Sequence, residues 1–99
     1  MSKISIIIPT INEANNLPLL LSDLSIIQKE GEILVIDCGS EDRTIDIANI
    51  YGAKVYKSKE RNRGLQLYLG AKNSKEDWLI FSHADTRLNH NWFRRIKSV

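Results

Sequence analysis

Three short polar stretches carry the residues that could do chemistry: PTINE (Pro9 to Glu13), DCGSEDRT (Asp37 to Thr44) and HADTR (His83 to Arg87). Each follows an apolar run, and each offers carboxylate, amide, hydroxyl or imidazole groups. In an open parallel sheet, ligands lie at the carboxyl ends of the strands, so acids there could meet a nucleotide, a phosphate or a cation. Asp85 would suit a hard divalent cation, which prefers carboxylate oxygen. His83 lies two residues before it and shares its face of an extended segment, so the two could converge on one ion or phosphate. Bland roles compete: Asp37 in an Asx turn, Asp42 as first-turn helix charge, Asp85 as a strand-end turn residue. With two histidines and one cysteine in the chain, a zinc site is not expected.

The elements that must position these groups alternate. Residues 4–8 (ISIII) form a β-branched run, the profile of a strand buried on both faces. Thr10 and Glu13 have capping-box spacing and predict a helix start. Leu17, Leu20, Leu21, Leu24 and Ile27 make its apolar stripe and Gly31 its end. Pro18, tolerated in a first turn, moves the regular helix toward Leu17. Further strands are expected at 33–36, at 53–57 (half-exposed) and at 78–82 (buried). Helices are expected at 44–51, capped by Ser40 and stopped by Gly52, at 63–72, and in a short piece opening at 89–91. This order argues for a parallel α/β sheet with right-handed crossovers.

Ninety-nine residues suit a single domain, and a net charge of +2 selects no class of partner. Nucleic acid is not an expected partner. The basic segment KSKERNR is local enough to meet a phosphate, although a solvated loop would read the same way. A lone cysteine makes no internal disulfide, and the opening apolar run is too short for a signal or a membrane span. A cytoplasmic protein is expected, and a peripheral place at the inner membrane face is compatible with this. No G-x-G-x-x-G follows the first strand and no G-x-x-x-x-G-K-[ST] occurs, which removes the common dinucleotide and P-loop readings.

Together, IIIPTINE, ILVIDCGSEDRT, RNRGLQLYLGA and WLIFSHADTRL resemble the family 2 glycosyltransferases, in order and along essentially the whole chain. The likeness is nearest to a bacterial subgroup with HADTR in place of D-x-D. It implies the GT-A type nucleotide-sugar domain, an open Rossmann-like sheet of strand order 3-2-1-4. It also implies a nucleotide-diphosphate sugar as donor, an acceptor of unknown kind, and Mg2+ or Mn2+ as cofactor. Thr10, Asn12 and Glu13 would line the nucleotide, with Asp37 on the base or ribose. Arg61 and Arg63 would face the diphosphate, Gln66 would join the substrate contacts, and Asp85 with His83 would hold the metal.

Departures from the family pattern are His83 for the first acid of D-x-D and Cys38 where a second Asp or a Gly is usual. The chain stops where family members continue into an acceptor-binding half, so that half is expected to be absent. No residue is assigned as catalytic base. Self-association or a complementing chain would cover the sheet edge left open. A binding module without transfer activity is the rival reading. A nucleotidyltransferase-like domain is a third, and it would want a Gly-rich basic loop after the first strand.

Overall fold

The computed structural model describes residues 3–25 and 31–88. The elements are β1 (Ile4–Thr10), α1 (Leu17–Asp23), β2 (Gly31–Asp37), α2 (Thr44–Ile50), β3 (Lys54–Lys57), α3 (Arg63–Asn73) and β4 (Trp78–Phe81). The strands form one parallel sheet in the order β3-β2-β1-β4, as expected. Ile27 of the expected stripe and the expected last helix lie outside the described residues.

Alternation along the two central strands sorts side chains to opposite faces. Ile4, Ile6, Ile8, Ile33 and Val35 pack with Leu17, Leu20, Leu21, Leu24 and Ala48, beneath α1 and α2. On the other face Ile7, Leu34 and Ile36 meet Leu67 and Leu69 of α3. Every residue of β1 is buried, which explains its unbroken β-branched run. Gly70 sets the closeness of α3 to the sheet: a Cβ there would lie 2.3 Å from Ile7 Cγ2.

Four local expectations need correction. Thr10 does not cap a helix; it ends β1, and α1 begins at Leu17 after Asn16, which makes no side-chain cap bond. The Pro18 signal located that start better than the T-x-x-E spacing, because the Thr10 hydroxyl has a stronger partner elsewhere. Ser40 does not cap α2, whose N-cap is Arg43. Gly31 does not close α1, which ends at Asp23; it opens β2, where a Cβ would collide with the Ile4 carbonyl oxygen. Finally, β4 is an edge strand, with Trp78, Leu79 and Phe81 exposed, because its only strand neighbour among the described residues is β1. Gly52 does follow α2 at φ 82°, in the left-handed region.

At the amino end of the sheet, Glu32 is buried. It accepts hydrogen bonds from Ser5 Oγ (2.7 Å), Lys54 Nζ (2.7 Å) and Lys75 N (2.6 Å). Burial alone pushes its pKa up, but the Lys54, Lys75 and Ser5 hydrogen bonds outweigh it and leave the carboxyl below its ordinary value.

Two outcomes follow. Gly70→Ala is expected to destabilise the chain by about 1–3 kcal/mol in denaturant unfolding, because Ile7 is buried and β-branched and has little room to yield. The Glu32 contribution is present above the carboxyl's unfolded pKa and is lost as pH falls through the lowered folded value. Acid unfolding of Glu32→Gln should therefore lack this component, which stability curves over the acid range would reveal.

Candidate functional site

Thr10 and Asp37 are register partners at the carboxyl ends of β1 and β2. The Asp37 side chain is completely buried. An ionised carboxylate out of water is tolerated only when its oxygens are hydrogen-bonded. Its Oδ1 accepts from Thr10 Oγ1 at 2.7 Å and from Ser40 Oγ. Its Oδ2 accepts from Gly39 N at 3.0 Å and Ser40 N at 2.8 Å. The sharp turn this requires puts Gly39 at φ 98°, where a side chain would strain the backbone.

That turn delivers Ser40 to the neighbouring loop. Ser40 Oγ accepts from Asn12 N at 2.7 Å. Asn12, itself left-handed at φ 50°, returns its Oδ1 to Glu41 N at 2.8 Å and Asp42 N at 3.4 Å. Glu13 N donates to Thr44 Oγ1 at 2.8 Å and Ala14 N to Asp42 Oδ2 at 3.1 Å. The loops after β1 and β2 are thus laced together by side chains that accept from each other's backbone. Asp42 also accepts from the Thr44 hydroxyl, the main reason its carboxyl titrates below the usual range. Sequence reasoning gave Asp42 first-turn charge only and missed the cross-loop role of Ser40; the D-x-G-S spacing was the available signal.

Behind the loops, Gln66 is buried on α3. Its Nε2 donates to Ile36 O at 2.8 Å and Thr10 O at 3.3 Å. These carbonyls lie on the last residue of β1 and the next-to-last of β2, so Gln66 fastens α3 to the sheet edge.

Of the residues expected at the substrate, Thr10, Asp37 and Gln66 are buried and bonded within the edge. Their polar groups point inward, and their hydrogen bonds build the edge rather than face solvent. Asn12 is exposed and Glu13 half-buried, so both remain at the surface of the site.

The other expected residues lie on the segments flanking α3 and β4. Arg61 and Arg63 are exposed, the second as the first residue of α3, where Asn62 Oδ1 caps Leu65 N at 3.0 Å. Past β4, Ala84 is buried while His83 and Asp85 are exposed on either side of it. The structure brings Arg63 and His83 together, with Nη1 2.5 Å from Nδ1. A guanidinium thus occupies the Nδ1 side of the His83 ring. Among the described residues no group of three or more His, Cys, Asp and Glu is placed to hold a metal.

Arg87 is the unexpected participant. Its Nε and Nη2 donate to Asp23 Oδ2 and Oδ1 at 2.9 and 3.2 Å, and Leu88 N donates to the same carboxylate at 2.9 Å. This fork ties the segment carrying Asp85 to the end of α1. The Arg87 hydrogen bond, helped by Leu88 N, holds the Asp23 carboxyl below its ordinary pKa.

No helix among the described residues is long and apolar enough to cross a membrane. The family model described as "Glycosyl transferase family 2" matches residues 5–98. A 4,4'-diaponeurosporenoate glycosyltransferase of Staphylococcus haemolyticus is 44% identical, over 88% of this chain and 25% of its own length. Crystal structures with the same fold include S. aureus TarS in complex with UDP: TM-score 0.85, 24% identity, 97% of this chain and 31% of that one. Another is the Mycobacterium tuberculosis glucosyl-3-phosphoglycerate synthase with Mn2+, UDP and glucosyl-3-phosphoglycerate: TM-score 0.77, 21% identity, 87% of this chain and 36% of that one. The chain thus spans between a quarter and two fifths of the length of these proteins. The open parallel sheet of order 3-2-1-4 is the arrangement of the GT-A type nucleotide-sugar domain.

Removing the central carboxylate tests whether it holds the edge. Asp37→Ala leaves Thr10 Oγ1 and two backbone N–H groups without their acceptor and should cost about 2–4 kcal/mol of unfolding free energy. Amide exchange should rise at Gly39, Ser40 and Asn12 together; loss confined to Gly39 and Ser40 would show that the two loops are not coupled.

Proposed function

The chain belongs to glycosyl transferase family 2, and from that premise we propose that its carboxyl sheet edge binds a nucleotide-diphosphate sugar with Mg2+ or Mn2+ for glycosyl transfer. One observation carries the reading. A laced pair of loops after β1 and β2 is flanked by two exposed arginines and, past β4, by an exposed carboxylate. Those are the parts a diphosphate ester requires: a shaped wall for the nucleoside, cations for its phosphates, and an oxygen ligand for a counter-ion. The S. aureus and M. tuberculosis proteins of the same fold were crystallised with UDP, the second with Mn2+.

In this reading Asn12 and Glu13 give the nucleoside its wall, while Thr10, Asp37 and Gln66 fix that wall from behind. Arg61 and Arg63 take the diphosphate. Asp85 fits a magnesium-type ion, which is commonly held by one or two carboxylates and completed by substrate phosphates and water. Such an ion neutralises charge on the departing nucleoside diphosphate. Arg87, through Asp23, holds the Asp85 segment in place. Transfer also needs a base within hydrogen-bond reach of the acceptor hydroxyl, and no described residue is assigned that role. Donor binding is therefore expected to outlive transfer in the 99-residue chain. The lone Cys38 agrees with a cytoplasmic place for the protein.

Calorimetric titration of UDP, GDP and ADP and their sugar esters, with Mn2+ and with chelator, tests the reading. At least one nucleotide should bind more tightly with Mn2+, and by linkage the nucleotide should tighten Mn2+ by the same factor. Asp85→Ala should abolish that factor and leave chelator-phase affinity in place. Affinity indifferent to Mn2+ would return Asp85 to a turn residue, and brisk multiple-turnover transfer would reveal a base among these residues.

A further inference from the structure

We propose that His83 is a hydrogen-bond donor to the diphosphate, working as a pair with Arg63, and not a ligand of the metal. The inference rests on the diphosphate-binding reading and changes what the HADTR segment does within it.

A guanidinium carries donors only. With Arg63 Nη1 2.5 Å from His83 Nδ1, the Nδ1 lone pair must be the acceptor. A neutral imidazole has one protonated nitrogen, so its proton then sits on Nε2. Neither nitrogen is left with a free lone pair: Nδ1 gives its pair to Arg63, and Nε2 is committed to its hydrogen. A ring in this state is a poor metal ligand and a good donor. The guanidinium beside Nδ1 also opposes a dication approaching from that side, and by drawing electron density from the ring it strengthens the Nε2–H as a donor.

Placement supports the same role. Arg63 opens α3 and His83 follows β4, both exposed, with the other Arg63 N–H groups still available to an anion. The buried Ala84 anchors the segment between His83 and Asp85. A division of labour results, with the Arg63–His83 pair on phosphate oxygens and Asp85 on the ion. A carboxylate at position 83 would instead neutralise Arg63 in an ordinary ion pair and present negative charge to the phosphates.

Two readouts decide it. Long-range 1H–15N spectra of the ligand-free chain, with the ring neutral and the signal assigned through His83→Gln, should show the Nε2–H tautomer. Calorimetry then uses inorganic pyrophosphate and UDP, in chelator and with Mn2+, on wild type, His83→Gln and His83→Ala. In chelator, His83→Ala should bind both probes about five- to ten-fold more weakly, and His83→Gln, whose amide places a donor near Nε2, should recover most of the loss. The factor by which Mn2+ tightens UDP should survive in His83→Ala. An Nδ1–H tautomer overturns the inference, as does an alanine variant that loses the Mn2+ factor while its chelator-phase affinity is unchanged. Failure of the wild-type chain to bind either probe would overturn the nucleotide reading as well, whereas the former outcomes overturn the role of His83 alone.

Discussion

A carboxylate with no access to water, satisfied by four hydrogen bonds, is the interaction on which the carboxyl edge depends. Asp37 fixes the end of β1 through Thr10, turns its own loop through Gly39 and Ser40, and through Ser40 reaches Asn12 in the other loop. Gln66 closes the arrangement from α3, on the carbonyls of Thr10 and Ile36. Burying a carboxylate without partners is costly, and these bonds supply the partners. The result is a preorganised surface, in which little loop ordering remains to be done when a ligand arrives.

The opposite end of the sheet uses the same device. Glu32 and Asp37 both lie on β2, and each accepts from a hydroxyl on the β1 residue in register with it, Ser5 and Thr10. The two pairs bracket an apolar centre, and alternation sends them to opposite faces. A slip of one residue would break both at once and turn the isoleucines to the wrong sides, so the polar pairs and the hydrophobic pattern specify one register. The carboxyl-end pair lies among the loops that follow β1 and β2. At the amino end the partners are Lys54 and the backbone of Lys75, which tie β2 to β3 and to the segment entering β4.

Much of this was legible in the sequence, because the strands are apolar runs with sharp polar ends. Strand existence and the burial of β1 followed from β-branched runs and strand–helix alternation, and the spatial order 3-2-1-4 from the family resemblance. Two helix caps did not, because Thr10 and Ser40 are good capping residues by type and were claimed instead by Asp37, a contact across 27 positions in one case. For the site, the structure gathers Thr10, Asn12, Glu13, Asp37 and Gln66 at the carboxyl edge of the sheet. Strand-end position shows that Thr10, Asp37 and Gln66 belong to the edge, but it does not show which way their polar groups turn. The clamp between Arg87 and Asp23 spans 64 positions and has no local signature. The exposed apolar face of β4 was misjudged because a WLIF run reads as buried whether or not a neighbour exists among the described residues.

A crystal structure of the chain with UDP and Mn2+ would test most directly whether Asp37 builds the edge rather than contacts the donor. The expected result has its carboxylate still bonded to Thr10, Gly39 and Ser40, with every nucleotide contact made by groups outside that network. A carboxylate oxygen of Asp37 on the base or ribose, with Thr10 or Ser40 released, would contradict it.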